Sequence, residues 1–563
     1  MSTNPTLLTH VYAHARQRPT HVLLTQPMGG GVVRDYSWSQ VIDEARRMAS
    51  HLKAQGVSAG DRVAILSKNC AEFMIAELAI WMAGGTTVAI FPTETADNVR
   101  YVLEHSEPKL LFVGKLDTWA EQAPAVPSGL PCVAFTLAPQ SALARYPRWA
   151  EIIAQSAPLE GEPERCGEDI AMIMYTSGST GLPKGVMHNF ERITRCTDGM
   201  LDYIREAIGP STPIRVLSYL PLAHVFERAW VECALAFREG GARIFFAESL
   251  ETFVHDLQRA RPTLFISVPR LWLKFQQGVF AKVPEKKLNT LLSIPILSGL
   301  IKKKVLAGLG LDSVVHAASG SAPIPPALIE WYQRLGLNLI EGYGMTEDFA
   351  YSCTSRKDKK APGYVGVPMP GVELKLSEEG EILIKSPGQF VGYYKQPELT
   401  AESFTPDGFF KTGDLGEIRA DGLVKITGRK KELFKTAKGK YVAPAPIENK
   451  LNACPIVELS LVSGVGREAP YALVQLGEAI RPKLGEAAVR AEVERTLAAL
   501  LEEVNAALPD YEKLKAIVIA RETWTMENGL LTPTMKIKRA KIEASVASEV
   551  DRWYASGAKV VWA

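Results

Sequence analysis

Hydrophobic positions follow two rhythms along the first part of the chain. Residues 39–55 repeat apolar positions at helical spacing, 62–66 is a short apolar run, 71–83 is apolar almost throughout, and 86–91 is again a short run. The order predicts helix, strand, helix, strand. It continues with a helix over 95–105 and strands at 110–113, 170–175, 243–246 and 263–268, each framed by Gly or Pro. Such alternation stacks into α/β layers. From about residue 363 the texture changes to short strands with turn residues (GVELKLSEEGEILIKSPG), which predicts an antiparallel β subdomain. Past the basic stretch GRKKE at 428–432, strand and helix patterns return at 458–462, 471–476, 485–508 and 515–519. The expected fold class is therefore α/β. It comprises a large N-terminal domain of stacked layers plus a β subdomain, residues 1–429, and a small α+β C-terminal domain, residues 430–563.

Two apolar stretches bear on membranes. Residues 73–92 contain Glu77 and the Gly84-Gly85 break, and read as a buried helix followed by a strand rather than a span. Residues 291–304 (LLSIPILSGLIKKK) end in three lysines. They suit either a segment lying on a bilayer surface or a packed helix end with a solvated basic flank, and Pro295 is expected to interrupt them as a helix.

Composition narrows the classes further. The 563 residues are 47% hydrophobic, ample for several cores. With 64 basic against 62 acidic residues the net charge is only +2, so no global field draws the chain to nucleic acid, and any polyanion is bound locally. The seven cysteines (Cys70, Cys132, Cys166, Cys196, Cys233, Cys353, Cys454) are odd in number, scattered and never in C-x-x-C spacing. That argues against a disulfide framework or a zinc site and fits a reducing cytoplasm. The first nineteen residues lack an apolar core of signal-peptide length, so no export is expected.

The densest candidate chemistry is YTSGSTGLPKG at 175–185. The apolar run before it predicts a buried strand, placing the loop at a sheet edge where ligands commonly sit. Gly178, Gly181 and Gly185 let backbone N–H groups turn toward an anion, Thr176, Ser177, Ser179 and Thr180 add hydroxyls, and Lys184 adds a charge. Pro183 precedes the lysine and Gly185 follows it, so the hydroxyl that a Walker A loop places on magnesium is missing. This is a polyphosphate loop of another kind.

Further motifs follow in order: SYLPLAHVFER (218–228), VPRLW (268–272), SGSAPI (319–324), EGYGMTE (341–347), GEILIKSPG (380–388), FKTGDLG (410–416), TGRKKELFKT (427–436) and TPTMKIKR (532–539). Together with the loop they resemble the adenylate-forming superfamily of acyl-CoA synthetases, peptide-synthetase adenylation domains and luciferases, over nearly the whole chain. The LPLAHVFER, VPRLW and TPTMKIKR variants look most like long-chain fatty acyl-CoA synthetases. The resemblance implies a carboxylate that attacks the α-phosphorus of ATP to give acyl-AMP, after which the thiol of CoA displaces AMP. Mg²⁺, ATP, CoA and a fatty acid are the implied cofactor and substrates; a carrier-protein acceptor, an aryl or branched acid, and a non-catalytic binding protein stay open. Peripheral contact with a membrane and a homodimer are both compatible with this reading.

The site residues follow from the same resemblance. Lys536 aligns with the lysine that reaches in from the small domain, Glu347 with the acidic Mg²⁺ ligand, Thr176 with a hydroxyl assisting it, and Thr346 with a donor to the α-phosphate. Tyr343 offers a face for adenine, Glu341 and Gly342 their backbone for its edge, and Gly320 and Ser321 the turn against which adenosine packs. Asp414 matches the ribose ligand, Arg429 the ribose and phosphate contact, and Lys431 the hinge about which the small domain rotates. Lys435 and Tyr441 would approach pyrophosphate or CoA. His224 sits where the acyl pocket is lined, or is a satisfied core histidine; Trp230, residues 268–272, Gly344 and Met345 are expected near that pocket. Some long-chain enzymes carry a gating tryptophan four residues after this histidine, where this chain has Arg228.

Overall fold

The computed structural model describes residues 5–177, 182–532 and 535–563. The alternating pattern of the first part folds as a seven-stranded sheet in the order Gly392–Tyr393, Pro183–Asn189, Ile170–Ser177, Thr86–Ile90, Arg62–Leu66, Leu110–Val113 and Cys132–Ala134. The strands from Ile170–Ser177 to Cys132–Ala134 are parallel, and the crossover helix Ala71–Met82 is buried on every side, which is why its sequence is apolar almost throughout. Ile170–Ser177 lies inside this sheet, not at its edge. It pairs with the antiparallel strand Pro183–Asn189, Ser177 opposite Pro183, so the glycine-rich segment links two paired strands rather than a strand and a helix.

A second sheet runs Leu264–Ser267, His316–Ser319, Leu339–Tyr343, Cys353–Thr354 and Val367–Pro368, and a third runs Val32–Ser37, Val22–Gly29, Arg243–Phe246 and Arg215–Ser218. The β subdomain is the antiparallel sheet Glu373–Leu376, Glu381–Lys385, Phe410–Ile418 and Val424–Arg429. After the short turn Lys430–Glu432, the last unit packs the sheet Val457–Ser463, Tyr471–Leu476, Ile517–Ile519 and Val560–Trp562 against the helix Ala487–Ala506.

Pro295 breaks the segment 291–304 as expected, one helix, Glu285–Leu292, ending just before it. It opens the helix Pro295–Leu309, where the missing N–H has no intrahelical partner to lose. That helix leaves Leu300 66% exposed beside Lys302, Lys303 and Lys304. Among the described residues, no helix is long and apolar enough to cross a membrane.

Candidate active site

The parallel strands His316–Ser319 and Leu339–Tyr343 pair with Ser319 opposite Glu341, so the SGS and EGYG motifs leave the sheet side by side. Ser321 adopts φ +68°, a left-handed conformation costly for a residue with a side chain, which marks this turn as held by its surroundings. A Cβ on Gly344 would meet the Ala350 backbone at 2.7 Å, so only glycine fits there. The carbonyl of Glu341 already accepts from the Ser355 N–H (3.3 Å) and hydroxyl (3.2 Å), which commits it to strand pairing rather than to a base edge. Its side chain is buried, and that burial raises the carboxyl to about 7.

The turn Thr346–Asp348 is pinned from behind. Asp348 accepts from the Met345 N–H at 2.9 Å, and His188 donates through Nε2 to the Thr346 carbonyl at 2.8 Å. Burial pushes His188 down to about 4, which keeps it neutral for that bond. Glu347 then projects toward Tyr393, whose hydroxyl donates to Oε1 at 2.9 Å, while the Lys184 ammonium lies 5.3 Å from the Tyr393 ring centroid. Loss of solvent around it raises the Glu347 carboxyl, opposed by the Tyr393 hydrogen bond and by Arg429 and Lys184. Tyr393 follows a turn some two hundred residues from the loop, and no local sequence signal marks it. Thr176 stands opposite Lys184 in the hairpin register; Gly178, Ser179, Thr180 and Gly181 lie outside the described residues, as does the Ser177 side chain.

Asp414 is buried and bound on both oxygens. Tyr343 donates its hydroxyl to Oδ2 at 2.7 Å and Arg429 donates Nε to Oδ1 at 2.8 Å. Asp414 and Arg429 face each other across adjacent antiparallel strands, so three motifs distant in sequence meet at one carboxylate. Lys536 reaches the same place from the C-terminal unit. It sits in a turn closed by a bridge between Leu531 and Ile537, with Met535 at φ +62°, and its N–H donates to the Thr532 hydroxyl at 3.0 Å. Its side chain is open to solvent yet ringed by protein. Desolvation, then Arg429, lowers its pKa, while Asp414 and Glu432 hold it up. The same ammonium lowers His224, already pushed down to about 3 chiefly by burial. Lys536 is therefore within electrostatic reach of Asp414, Arg429 and His224.

Contacts between the two units keep it there: Arg270 pairs with Glu458, and Gln277 donates to the Pro455 carbonyl at 2.9 Å. Lys431 is exposed in the connecting turn, whose neighbour Lys430 pairs with Glu381 at 3.4 Å. Lys435 and Tyr441 face each other on the next hairpin, 5.6 Å from ammonium to ring, with Tyr441 62% exposed.

Beside His224 a cavity of about 70 Å³ enters the protein, lined by His224, Phe226, Gly320, Tyr343 and Gly344 and also by Trp230. Met345 packs instead into the cluster around Phe390, and Trp272 is wholly buried in a separate core against Tyr332, so neither lines the cavity. Arg228 is no gate. It is fully buried, paired with Glu77 at 3.0 Å and Glu232 at 3.1 Å. A larger open depression of about 780 Å³, lined by Arg215, Arg243, Arg259 and Arg261, shares no residue with this site.

Residues 11–394 match the AMP-binding enzyme family and residues 432–558 the AMP-binding enzyme C-terminal domain. The long-chain-fatty-acid–CoA ligase FadD15 of Mycobacterium bovis is 30% identical, covering 97% of this chain and 96% of the relative. Human long-chain-fatty-acid–CoA ligase 1 is 29% identical, covering 92% of this chain and 82% of its own length. Among solved structures, the adenylation domain of a carboxylate reductase from Mycobacterium chelonae superposes with a TM-score of 0.81 at 23% identity, covering 98% and 91% of the two chains. An anthranilate CoA ligase in complex with anthranoyl-AMP gives 0.77 at 20% identity, covering 98% and 99%.

Proposed function

The chain belongs to the AMP-binding enzyme family, and from that premise we propose that it is an AMP-forming acid–thiol ligase that converts a fatty acid to its CoA thioester. The observation that carries this reading is the position of Lys536. A cation carried by the C-terminal unit comes within electrostatic reach of Asp414, a carboxylate held on both oxygens, and of His224, which lines an apolar cavity.

In the first half-reaction the fatty carboxylate attacks the α-phosphorus of ATP and pyrophosphate leaves. Two anions must approach, and a carboxylate is already a nucleophile at neutral pH, so the demand on the protein is for placed positive charge rather than a base. Lys536 meets both anions, Lys184 and the hairpin loop hold the phosphates, Thr346 donates near the α-phosphate, and Asp414 takes the ribose hydroxyls while Tyr343 covers the base. Thr176 and Glu347 fit a magnesium ion. One Glu347 oxygen is fixed by Tyr393, and a small hard cation that keeps several waters needs only one or two protein oxygens beside phosphate. When bound, that ion neutralises phosphate charge.

In the second half-reaction the CoA sulfur attacks the acyl carbonyl, AMP leaves, and the thiol proton passes to solvent. Lys536 has no part in this step. The unit 430–563 turns about Lys431 relative to 1–429, withdraws the lysine and brings Lys435 and Tyr441 toward the site. The exposed apolar face at Leu300, flanked by Lys302 to Lys304, suits contact with an anionic bilayer from which the fatty acid would be drawn.

The test is pyrophosphate release with ATP and Mg²⁺ over saturated acids from acetate to stearate and benzoate, with and without CoA. CoA-dependent thioester is the expected result. Pyrophosphate without thioester points to a carrier-protein acceptor, and silence on every acid rejects the ligase.

A further inference from the structure

We infer that the acyl cavity ends at a fixed wall built from Tyr203, His316 and Trp230, and that this wall makes the enzyme selective for medium-chain fatty acids. The inference rests on the acyl-CoA ligase reading and specifies its substrate.

The cavity follows the parallel strands backward. Gly320 and Ser321 line it where the strand His316–Ser319 ends, and His316 lines it where that strand begins. Val216 and Leu264, near the starts of the neighbouring strands Arg215–Ser218 and Leu264–Ser267, line the same far end. A strand rise of about 3.3 Å per residue puts roughly 10 Å between Ser319 and His316, which an extended chain of about eight to ten carbons fills from the turn to the wall.

The wall is a hydrogen-bonded unit rather than a loose side chain. Asn338 donates its amide to His316 Nδ1 at 3.4 Å, His316 Nε2 meets the Tyr203 hydroxyl at 2.9 Å, and that hydroxyl donates to the Ser355 carbonyl at 3.1 Å. Every donor in the relay finds an acceptor when His316 is neutral with its proton on Nε2. The Trp230 ring packs edge-on to Tyr203 at 6.0 Å and is itself tied by Nε1 to the Ala350 carbonyl at 3.2 Å. Tyr203 and His316 are both about 5% exposed, at 6% and 5%. A longer acyl tail can advance only by breaking the relay and leaving buried polar groups unpaired, a cost that offsets the burial of the added methylenes.

The experiment measures kcat/KM for thioester formation with the full-length protein over even-numbered saturated acids from butyrate to stearate. The expected profile peaks at about eight to ten carbons and falls at least about tenfold by hexadecanoate, since a few misplaced methylenes in an apolar pocket are worth that much. Tyr203→Ala shifts the peak to longer acids, and His316→Ala, which removes less packing, shifts it in the same direction. A wild-type peak at sixteen carbons or beyond overturns this inference and leaves the ligase reading standing. Thioester from no acid at all overturns both.

Discussion

Each Asp414 oxygen is fixed by one donor, Tyr343 on one and Arg429 on the other, which leaves a lone pair on each for a further donor. The ribose contact is thereby built before nucleotide arrives, with Tyr343 as both aromatic face and anchor. Asp414→Asn gives up an acceptor and sets an amide against the Arg429 guanidinium. Its KM for ATP is expected to rise about tenfold with a smaller change in kcat, the pattern of lost ground-state binding. Steady-state kinetics with ATP as the varied substrate decide, and an unchanged KM rejects the ribose role. Lys536→Ala is expected to cut pyrophosphate release by about a hundredfold or more while sparing thioester formation from supplied acyl-AMP, since its charge serves only the first transition state. Equal loss of both half-reactions would count against the two-step use of the domain. At this scale the sequence marks Glu347, Asp414 and Lys536 through their motifs. It was silent on Tyr393, Tyr203 and His316, whose places depend on which strands become neighbours.

At the scale of elements, the segment Arg228–Glu239 winds as a π-helix and buries Arg228 between Glu77 and Glu232. One guanidinium faces two carboxylates, and burial, then Glu77, pushes the Glu232 carboxyl well up, so the cluster keeps a proton rather than a net negative charge. Arg228 also donates to the Leu222 carbonyl at 3.1 Å and so steadies the segment that carries His224. Arg228→Ala strands the two carboxyl groups and is expected to cost about 3–5 kcal/mol in urea unfolding. A loss under about 1 kcal/mol would mean the cluster is solvated and not buried. Boundaries read from periodicity were near the observed ones where the pattern was long: 39–55 folds as Trp38–Ala54, and 485–508 as Ala487–Ala506. The hairpin after Ser177 was not legible, because a Ser/Gly-rich loop suits a turn back into a strand as well as an entry to a helix.

For the whole molecule, two kinds of buried acid oppose each other in pH. Burial lowers His188 and His316 to about 4 and His224 to about 3, so their stabilisation is complete above the ordinary histidine value of 6.5 and is lost as pH falls through their folded values. Burial raises Glu72 and Glu341 to about 7 and Glu227 to about 8, so their contribution is present below the ordinary carboxylate range and is lost as pH rises through 7 and 8. From pH 6.5 to 8 only the carboxyls titrate, and the unfolded chain has already released the protons that the folded chain retains. Tm is therefore expected to fall across that window, and Glu227→Gln to flatten the fall. A Tm that rises from pH 6.5 to 8 contradicts the assignment. The two units are also coupled through Arg270 and Glu458. Arg270→Ala loosens the docking that brings Lys536 in, and is expected to slow adenylation more than thioester formation from acyl-AMP. Equal effects on the two half-reactions would remove the contact from the account.

The amino-acid sequence determined the α/β class, the change of texture near residue 363, the small C-terminal unit and the motif residues. Those are set by local periodicity, turn chemistry and short runs of residues whose chemistry is fixed by type. Tertiary structure alone decided that Tyr343 and Arg429 each hold one oxygen of Asp414, that Arg228 is paired with Glu77 in the core, and that Tyr203 and His316 line the cavity. Several of these pairings join residues 71 to 151 positions apart, as Tyr343 with Asp414 and Arg228 with Glu77. They depend on strand order and register, which no single segment encodes.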